Sequence, residues 1–308
     1  MNSMKIKKKK SKRLKKIRRS LVYYIAEGVR FLFSILPLRL AVNIGAFIGV
    51  LPYYIIKKER EKLFNNLNIA FGNSKSFEEK KRIAKEVFSN CGRMAAELSH
   101  ISKYDENLLK ENIELIGFEN YQQAQNKGNG ILGITAHFGD WELMGAYLSK
   151  ALGLKFSVIV REQSNPRIEN MLSGIRKKAG VNTIMRGSSL KEIFRRLKAN
   201  EMFGILGDVN TKGDGIYVDF FGHPAFTQKG FAELAIKTKA AIVPIFIVRQ
   251  EDKIKHKIFI EKPIDISLTA DKEKDIESTT QAYTKVIEDF VAKYPHQWMW
   301  MHKRWEKR

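Results

Sequence analysis

The sequence predicts an α/β fold: a mostly parallel central sheet flanked by helices, preceded by an N-terminal membrane-associated helical region. Three observations predict it. From about residue 112, short apolar runs alternate with amphipathic ones, the pattern of strands followed by crossover helices. A chain of 308 residues can bury one large α/β core and still carry an appendage. The first sixty residues differ from the rest: residues 1–19 hold eleven Lys or Arg and no acid, and residues 21–56 are strongly apolar.

The N-terminal part divides into a basic tail over residues 1–20 and an apolar segment over 21–60. The tail carries half of the net charge of +22, so its partner must be anionic. The apolar segment is interrupted by Glu27, Arg30 and Arg39. Its uninterrupted part, residues 40–56, is 17 residues long and contains Asn43, Gly45, Gly49 and Pro52. That is short for a membrane span, and cations on both sides give no positive-inside bias. A membrane-embedded or interfacial helical hairpin is therefore preferred over a span, a buried soluble helix or a cleaved signal peptide. Polybasic tail and apolar hairpin together form a two-signal anchor for an anionic membrane. Nucleic acid is disfavoured, because no recognition helix or aromatic-interleaved basic strand is found. The single cysteine, Cys91, allows no internal disulfide and no cysteine-rich zinc site.

Residues 61–308 form the expected α/β domain. Residues 62–71 and 77–101 have helical spacing, separated by breakers at 73–76. Strands are expected at 113–116, 131–135, 156–160, 182–185, 203–206, 242–248 and 257–260. Helices are expected at 121–126, 141–152, 166–179, 189–199, 229–238 and 272–294. Residues 219–227 read as an apolar loop able to wall an acyl-chain cleft. The terminal run 297–305 sets three tryptophans beside cations, which suits a membrane-interface belt or a sealed domain edge.

Histidine followed five residues later by an acid occurs three times: His100 with Asp105, His137 with Glu142, and His256 with Glu261. The last pair lies along a strand, where an odd offset sends the two side chains to opposite faces. His100 ends an amphipathic helical run and reads as a surface histidine. His137 alone has an apolar strand before it, Gly139 in a turn, and Asp140 placed to cap the next helix. Ligands collect at the carboxyl ends of parallel strands, so His137 is the candidate general base and Glu142 its orienting carboxylate. Arg161 at a strand end, Asn165 before Pro166, Arg176, and Asp208 after Gly207 are further polar candidates for a site. A nucleophile elbow, a phosphate loop, a dinucleotide fingerprint and a zincin motif are all missing from the sequence, so no cofactor and no metal are indicated.

Taken in order, these groups resemble one family. They are Ala136-His137-Phe138-Gly139-Asp140-Trp141-Glu142, Arg161 with Asn165-Pro166, Gly207-Asp208, Phe220-Phe221-Gly222, and Gln297-Trp298 through Arg304-Trp305. The set is similar to the late acyltransferases of lipid A biosynthesis, lauroyl and myristoyl transferases of the lysophospholipid acyltransferase superfamily. Ala136 before the histidine, with no later Pro-Glu-Gly-Thr block, sets the chain apart from the glycerolipid branch. The resemblance implies an inner-membrane enzyme with its active site on the cytoplasmic side. It would move a fatty acyl group from acyl carrier protein to a hydroxyl of a lipid A precursor. It further implies His137 as base with Glu142 as partner, and Arg161, Asn165, Arg176 and Asp208 as substrate-binding or site-maintaining residues. An acyltransferase on another glycolipid or lysophospholipid, and a non-enzymatic basic membrane adaptor, are the alternatives.

Overall fold

The computed structural model describes residues 2–160, 163–185, 190–210, 213–266 and 268–306. Seven strands form one sheet: β1 (Ile113–Ile116), β2 (Ile131–Thr135), β3 (Phe156–Val160), β4 (Asn182–Met185), β5 (Met202–Leu206), β8 (Ala241–Arg249) and β9 (His256–Ile260). Their order is β1-β9-β8-β2-β5-β3-β4. Every neighbouring pair is parallel except β8 with β9, so the sheet is mostly parallel, as expected.

The sheet is covered on both faces. All residues of β2 and β8 are buried, which is why they read as continuous apolar runs rather than alternating ones. Along β8, Ile242, Phe246 and Val248 face one core, whereas Val243, Ile245 and Ile247 face the other. The first core takes side chains from α3 (Lys57–Phe71), α4 (Phe77–His100), α9 (Leu190–Lys198), α10 (Gly230–Thr238) and α11 (Lys272–Lys293). The second takes them from α5 (Glu106–Asn112), α6 (Phe118–Asn126), α7 (Trp141–Ala146) and α8 (Pro166–Lys178). The helix starting at Trp141 widens into a π-helical turn over Tyr147–Ala151.

Residues 219–227, expected to be a loop, instead belong to a two-stranded hairpin, β6 (Ile216–Phe220) and β7 (His223–Thr227). The turn residues Phe221 and Gly222 have φ of 57° and 72°, the doubly positive turn that matches strand twist. A phenylalanine rarely takes that conformation. It is held by packing on Phe71 and Trp300 at ring-centroid distances of 5.5 and 6.2 Å, contacts that local sequence does not announce.

The N-terminal segment is a pair of helices, α1 (Asn2–Ile35) and α2 (Leu38–Ile55), broken before Pro37. Helix α2 lies against α4 through glycines. A Cβ on Gly92 would come within 1.9 Å of the Gly45 carbonyl oxygen, so the two backbones touch. Its other face, with Leu40, Phe47, Ile48, Leu51 and Ile55, is exposed, and α1 likewise exposes Leu21, Val22, Ile25, Phe31 and Leu32. Among the described residues, α2 is the one helix long and apolar enough to cross a membrane. His100 is buried rather than on the surface. Its ring lies between the carbonyls of Ala96 and Leu36, at 2.8 and 3.0 Å, tying α4 to the break between α1 and α2.

Candidate active site

Strands β2 and β5 are neighbours, with Thr135 opposite Leu206. Two residues beyond each stand His137 and Asp208, so strand register alone places them side by side. The His137 Nδ1 lies 2.9 Å from Asp208 Oδ1, and the His137 backbone N–H donates to Asp208 Oδ2, also at 2.9 Å. A carboxylate only accepts, so Nδ1 carries a proton, and in the neutral ring Nε2 is the nitrogen that keeps its lone pair. Asp208 is fully buried, whereas the imidazole is 21% exposed. Burial pushes the Asp208 pKa up, but the facing His137 and its N–H donors outweigh this and hold the carboxyl below the ordinary range.

Glu142 does not take the place expected for it. Its carboxylate is gripped by Arg176, whose Nε donates to both oxygens at 3.2 and 3.0 Å and whose Nη2 donates to Oε1 at 2.5 Å. The reason lies in the turn. Gly139, with φ of 57°, presses on β8 so closely that a Cβ would meet the Ile247 carbonyl oxygen at 2.0 Å. Asp140 then caps α7 by accepting from the Leu143 N–H at 3.0 Å, as the sequence suggests. The first turn of α7 thus presents Glu142 to the last turn of α8, while Asp208 occupies the Nδ1 side of the histidine. Burial alone would lower the Arg176 pKa, but its bonds to Glu142 keep it raised. The structure therefore brings His137 to Asp208 and Glu142 to Arg176, two pairs linked through Trp141, whose ring packs on His137 at 5.2 Å.

Asn165 has structural bonds: its side-chain oxygen accepts from the Arg167 N–H, and its amide donates to the Arg19 carbonyl of α1. Arg161 lies outside the described residues.

Two residues that sequence reasoning leaves out of the site are in it. The Trp298 indole N–H donates to Asp208 Oδ2 at 2.8 Å. The His302 ring sits 4.4 Å from that of His137, and burial together with the neighbouring imidazole lowers its pKa to about 4. Both come from the C-terminal segment, which runs alongside the histidine loop. Trp298 forms a β-bridge with Phe138, the Gly139 N–H donates to the Gln297 carbonyl, and the Met299 N–H donates to the His137 carbonyl. Trp298 and Trp300 are fully buried, so the tryptophan run seals a domain edge and is not a membrane belt. The available signal was the ordered C-terminal motif itself. His137, Asp208 and His302 also present ligand atoms within 4.8 Å of one another, a spacing compatible with a metal ion. The direct His137–Asp208 hydrogen bond already accounts for the shortest of these contacts.

Beneath the loop lies a second polar cluster that sequence did not reveal. Glu97 of α4 pairs with Arg249 at the end of β8, with His256 of β9 3.5 Å away. Asp140 is pushed well above the carboxylate range by burial and by the charge of Glu97. The cluster ties the α7 cap to the end of β8 and the start of β9.

The bacterial lipid A biosynthesis acyltransferase family model matches residues 7–307. The chain is similar to a lipid A biosynthesis acyltransferase of Haemophilus influenzae, 23% identical over 277 residues, covering 89% of this chain and 85% of that protein. It is similar to the lipid A biosynthesis lauroyltransferase of Escherichia coli, 26% identical over 289 residues, covering 92% and 91%. A phosphatidylinositol mannoside acyltransferase of Mycolicibacterium smegmatis matches at 23% identity over 221 residues, 70% of each chain. With a strand-end histidine, its buried aspartate and a family match over nearly its whole length, the chain belongs to the bacterial lipid A biosynthesis acyltransferase family.

Proposed function

We propose that the chain is a membrane-associated O-acyltransferase moving a fatty acyl group from acyl carrier protein to a hydroxyl of a lipid A precursor. The observation that carries this reading is the His137–Asp208 pair at a partly open strand end, in which the neutral imidazole carries its proton on Nδ1 and has Nε2 free to accept one. Nε2 removes the acceptor's hydroxyl proton as the oxygen attacks the thioester carbonyl. A C–O bond forms, the tetrahedral adduct collapses, the C–S bond breaks, and the leaving thiolate takes the proton back from the imidazolium. Asp208 holds the tautomer and stabilises the imidazolium. Glu142, expected as the partner of His137, acts instead with Arg176 as a clamp that positions the Trp141 side of the site. Arg161 and Asn165 keep their expected roles as substrate contacts on the strength of the family resemblance alone.

The exposed apolar faces of α1 and α2 and the basic tail support attachment to an anionic membrane; the site's place on the cytoplasmic face of the inner membrane rests on the family resemblance alone. The resemblance to a phosphatidylinositol mannoside acyltransferase favours a second reading, in which the same pair serves another glycolipid acceptor.

The test is transfer from acyl-loaded carrier protein by the purified full chain, followed by mass spectrometry of the acceptor. Acylated lipid A precursor is expected with the parent, and His137→Ala should lower the rate by about 10² to 10⁴. Equal turnover by His137→Ala would overturn the mechanism, and acylation of other glycolipids alone would replace the acceptor.

A further inference from the structure

A cleft of about 630 Å³ opens between α1, α4 and α8. It is lined by Tyr23, Tyr24 and Arg30 from α1, and by Arg167, Asn170 and Lys178 from α8. Among the described residues that line it the only acid is Glu27, which is taken by Arg30, whose Nε and Nη2 donate to it at 2.9 and 2.5 Å. Among the described residues, Arg167 and Lys178 have no carboxylate partner. The Arg167 guanidinium lies over the Tyr23 and Tyr24 rings, at 5.6 and 5.5 Å from their centroids, which holds a planar donor fork without neutralising it.

We propose that this cleft holds the phosphorylated sugar headgroup of the acceptor lipid, an inference that rests on the acyltransferase reading above. Two uncompensated cations select phosphate, because arginine binds it through parallel charge-assisted bonds. Two tyrosine rings beside the Asn170 amide supply the flat apolar and hydrogen-bonding surfaces that a sugar offers partners for. On its other side α1 exposes Leu21, Val22 and Ile25, an apolar surface that can lie in lipid.

Its position relative to the reacting centre follows from one helix. Ile175 lines the cleft, and the next residue, Arg176, grips Glu142 on the far side of α8. Glu142 adjoins Trp141, which packs on His137. A helix with its side chains is about 10 Å across, so the cleft and the Glu142–Arg176 clamp lie on opposite sides of one helix.

The test is flotation of the full chain with phosphatidylcholine vesicles carrying a small fraction of one of three lipids: a phosphorylated glycolipid, the same glycolipid without phosphate, or phosphatidylglycerol. The parent should prefer the phosphorylated over the dephosphorylated glycolipid by about tenfold or more, the weight of one or two charge-assisted contacts. Arg167→Gln/Lys178→Gln should lose that preference while binding phosphatidylglycerol vesicles as the parent does. Lys178→Gln alone, which breaks no hydrogen bond or ion pair among the described residues, should lose part of it and keeps the test valid if Arg167→Gln loosens α1. An unchanged preference in the double variant overturns the proposal. So does an equal loss on phosphatidylglycerol, which would mark general surface charge, or a parent with no preference. Binding is read without turnover, so a chain that binds the headgroup but transfers no acyl group refutes the acyltransferase reading and not the cleft.

Discussion

Asp208 accepts from both the backbone amide and the Nδ1 of His137, each at 2.9 Å, and from the Trp298 indole. The grip fixes the ring, its tautomer and the peptide that carries it with one buried carboxylate. Three donors on one carboxylate are a preorganised arrangement, since none must reorient when the imidazole becomes charged. The acid five residues after the histidine serves elsewhere, in the clamp with Arg176.

Asp208→Asn should therefore be severe. An amide cannot accept from all three donors, and one orientation turns an N–H toward Nδ1 and favours the wrong tautomer. The acyl-transfer rate should fall by about 10² to 10⁴ with little change in donor KM. Steady-state kinetics of the purified variant check this. A loss of only a few fold would return the orienting role to another group.

Glu142 and Arg176 should be coupled to each other. Each is about one-seventh exposed, at 15% and 14%, so removing one leaves the other partly buried and unpaired. Glu142→Ala and Arg176→Ala should each destabilise by about 1–3 kcal/mol, and the double variant by less than their sum. Urea unfolding of all four proteins gives the coupling. If Glu142→Ala cuts the rate a further hundredfold in the Arg176→Ala background, Glu142 acts on substrate and not only through the clamp.

How far the sequence could be read depends on range. Strands β1 to β4 have the bounds that local apolar runs suggest, and in β2, buried along its whole length, that run is a contiguous signal. His137 was legible from its strand end and glycine turn. Its partner was not, since Asp208 is 71 residues away and is delivered by the pairing of β2 with β5. Spacing along the chain favours Glu142, five residues on; register across the sheet selects Asp208. His302 and Trp298 arrive from still farther. Phe221 hides the β6–β7 turn because its packing partners, not its own preference, decide its backbone.

Stability should fall on acidification before ordinary carboxylates titrate. Burial lowers the pKa of both His256 and His302 to about 4. Each stays neutral in the folded chain while its unfolded counterpart takes up a proton near pH 6.5, so their stabilising contribution is lost as pH falls from about 6.5 to 4. His296, also lowered by burial, acts in the same direction. Asp140, raised by burial, opposes them because the folded state holds its proton longer. With the histidines ahead, a net loss of about 2–4 kcal/mol between pH 7 and 4.5 is expected. Denaturant melts across this range should show a shallower slope for His256→Gln, and an unchanged slope would remove His256 from the account.

The two faces of α2 should separate by substitution. On the inner face the Gly92 Cα hydrogen points at the Gly45 carbonyl oxygen and leaves no room for a methyl group. Gly92→Val must push the helices apart and should destabilise by about 1–3 kcal/mol or more, as overpacking does. On the outer face Phe47 is 71% exposed and Ile55 76%, so Phe47→Asp and Ile55→Asp should leave unfolding within about 0.5 kcal/mol of the parent. Each outer substitution should nevertheless weaken binding to anionic vesicles by about tenfold, the equivalent of one large apolar side chain withdrawn from lipid. Parallel melts and vesicle co-sedimentation distinguish the two effects. An outer-face aspartate that leaves vesicle binding intact would show that α2 is not what holds the protein at the membrane.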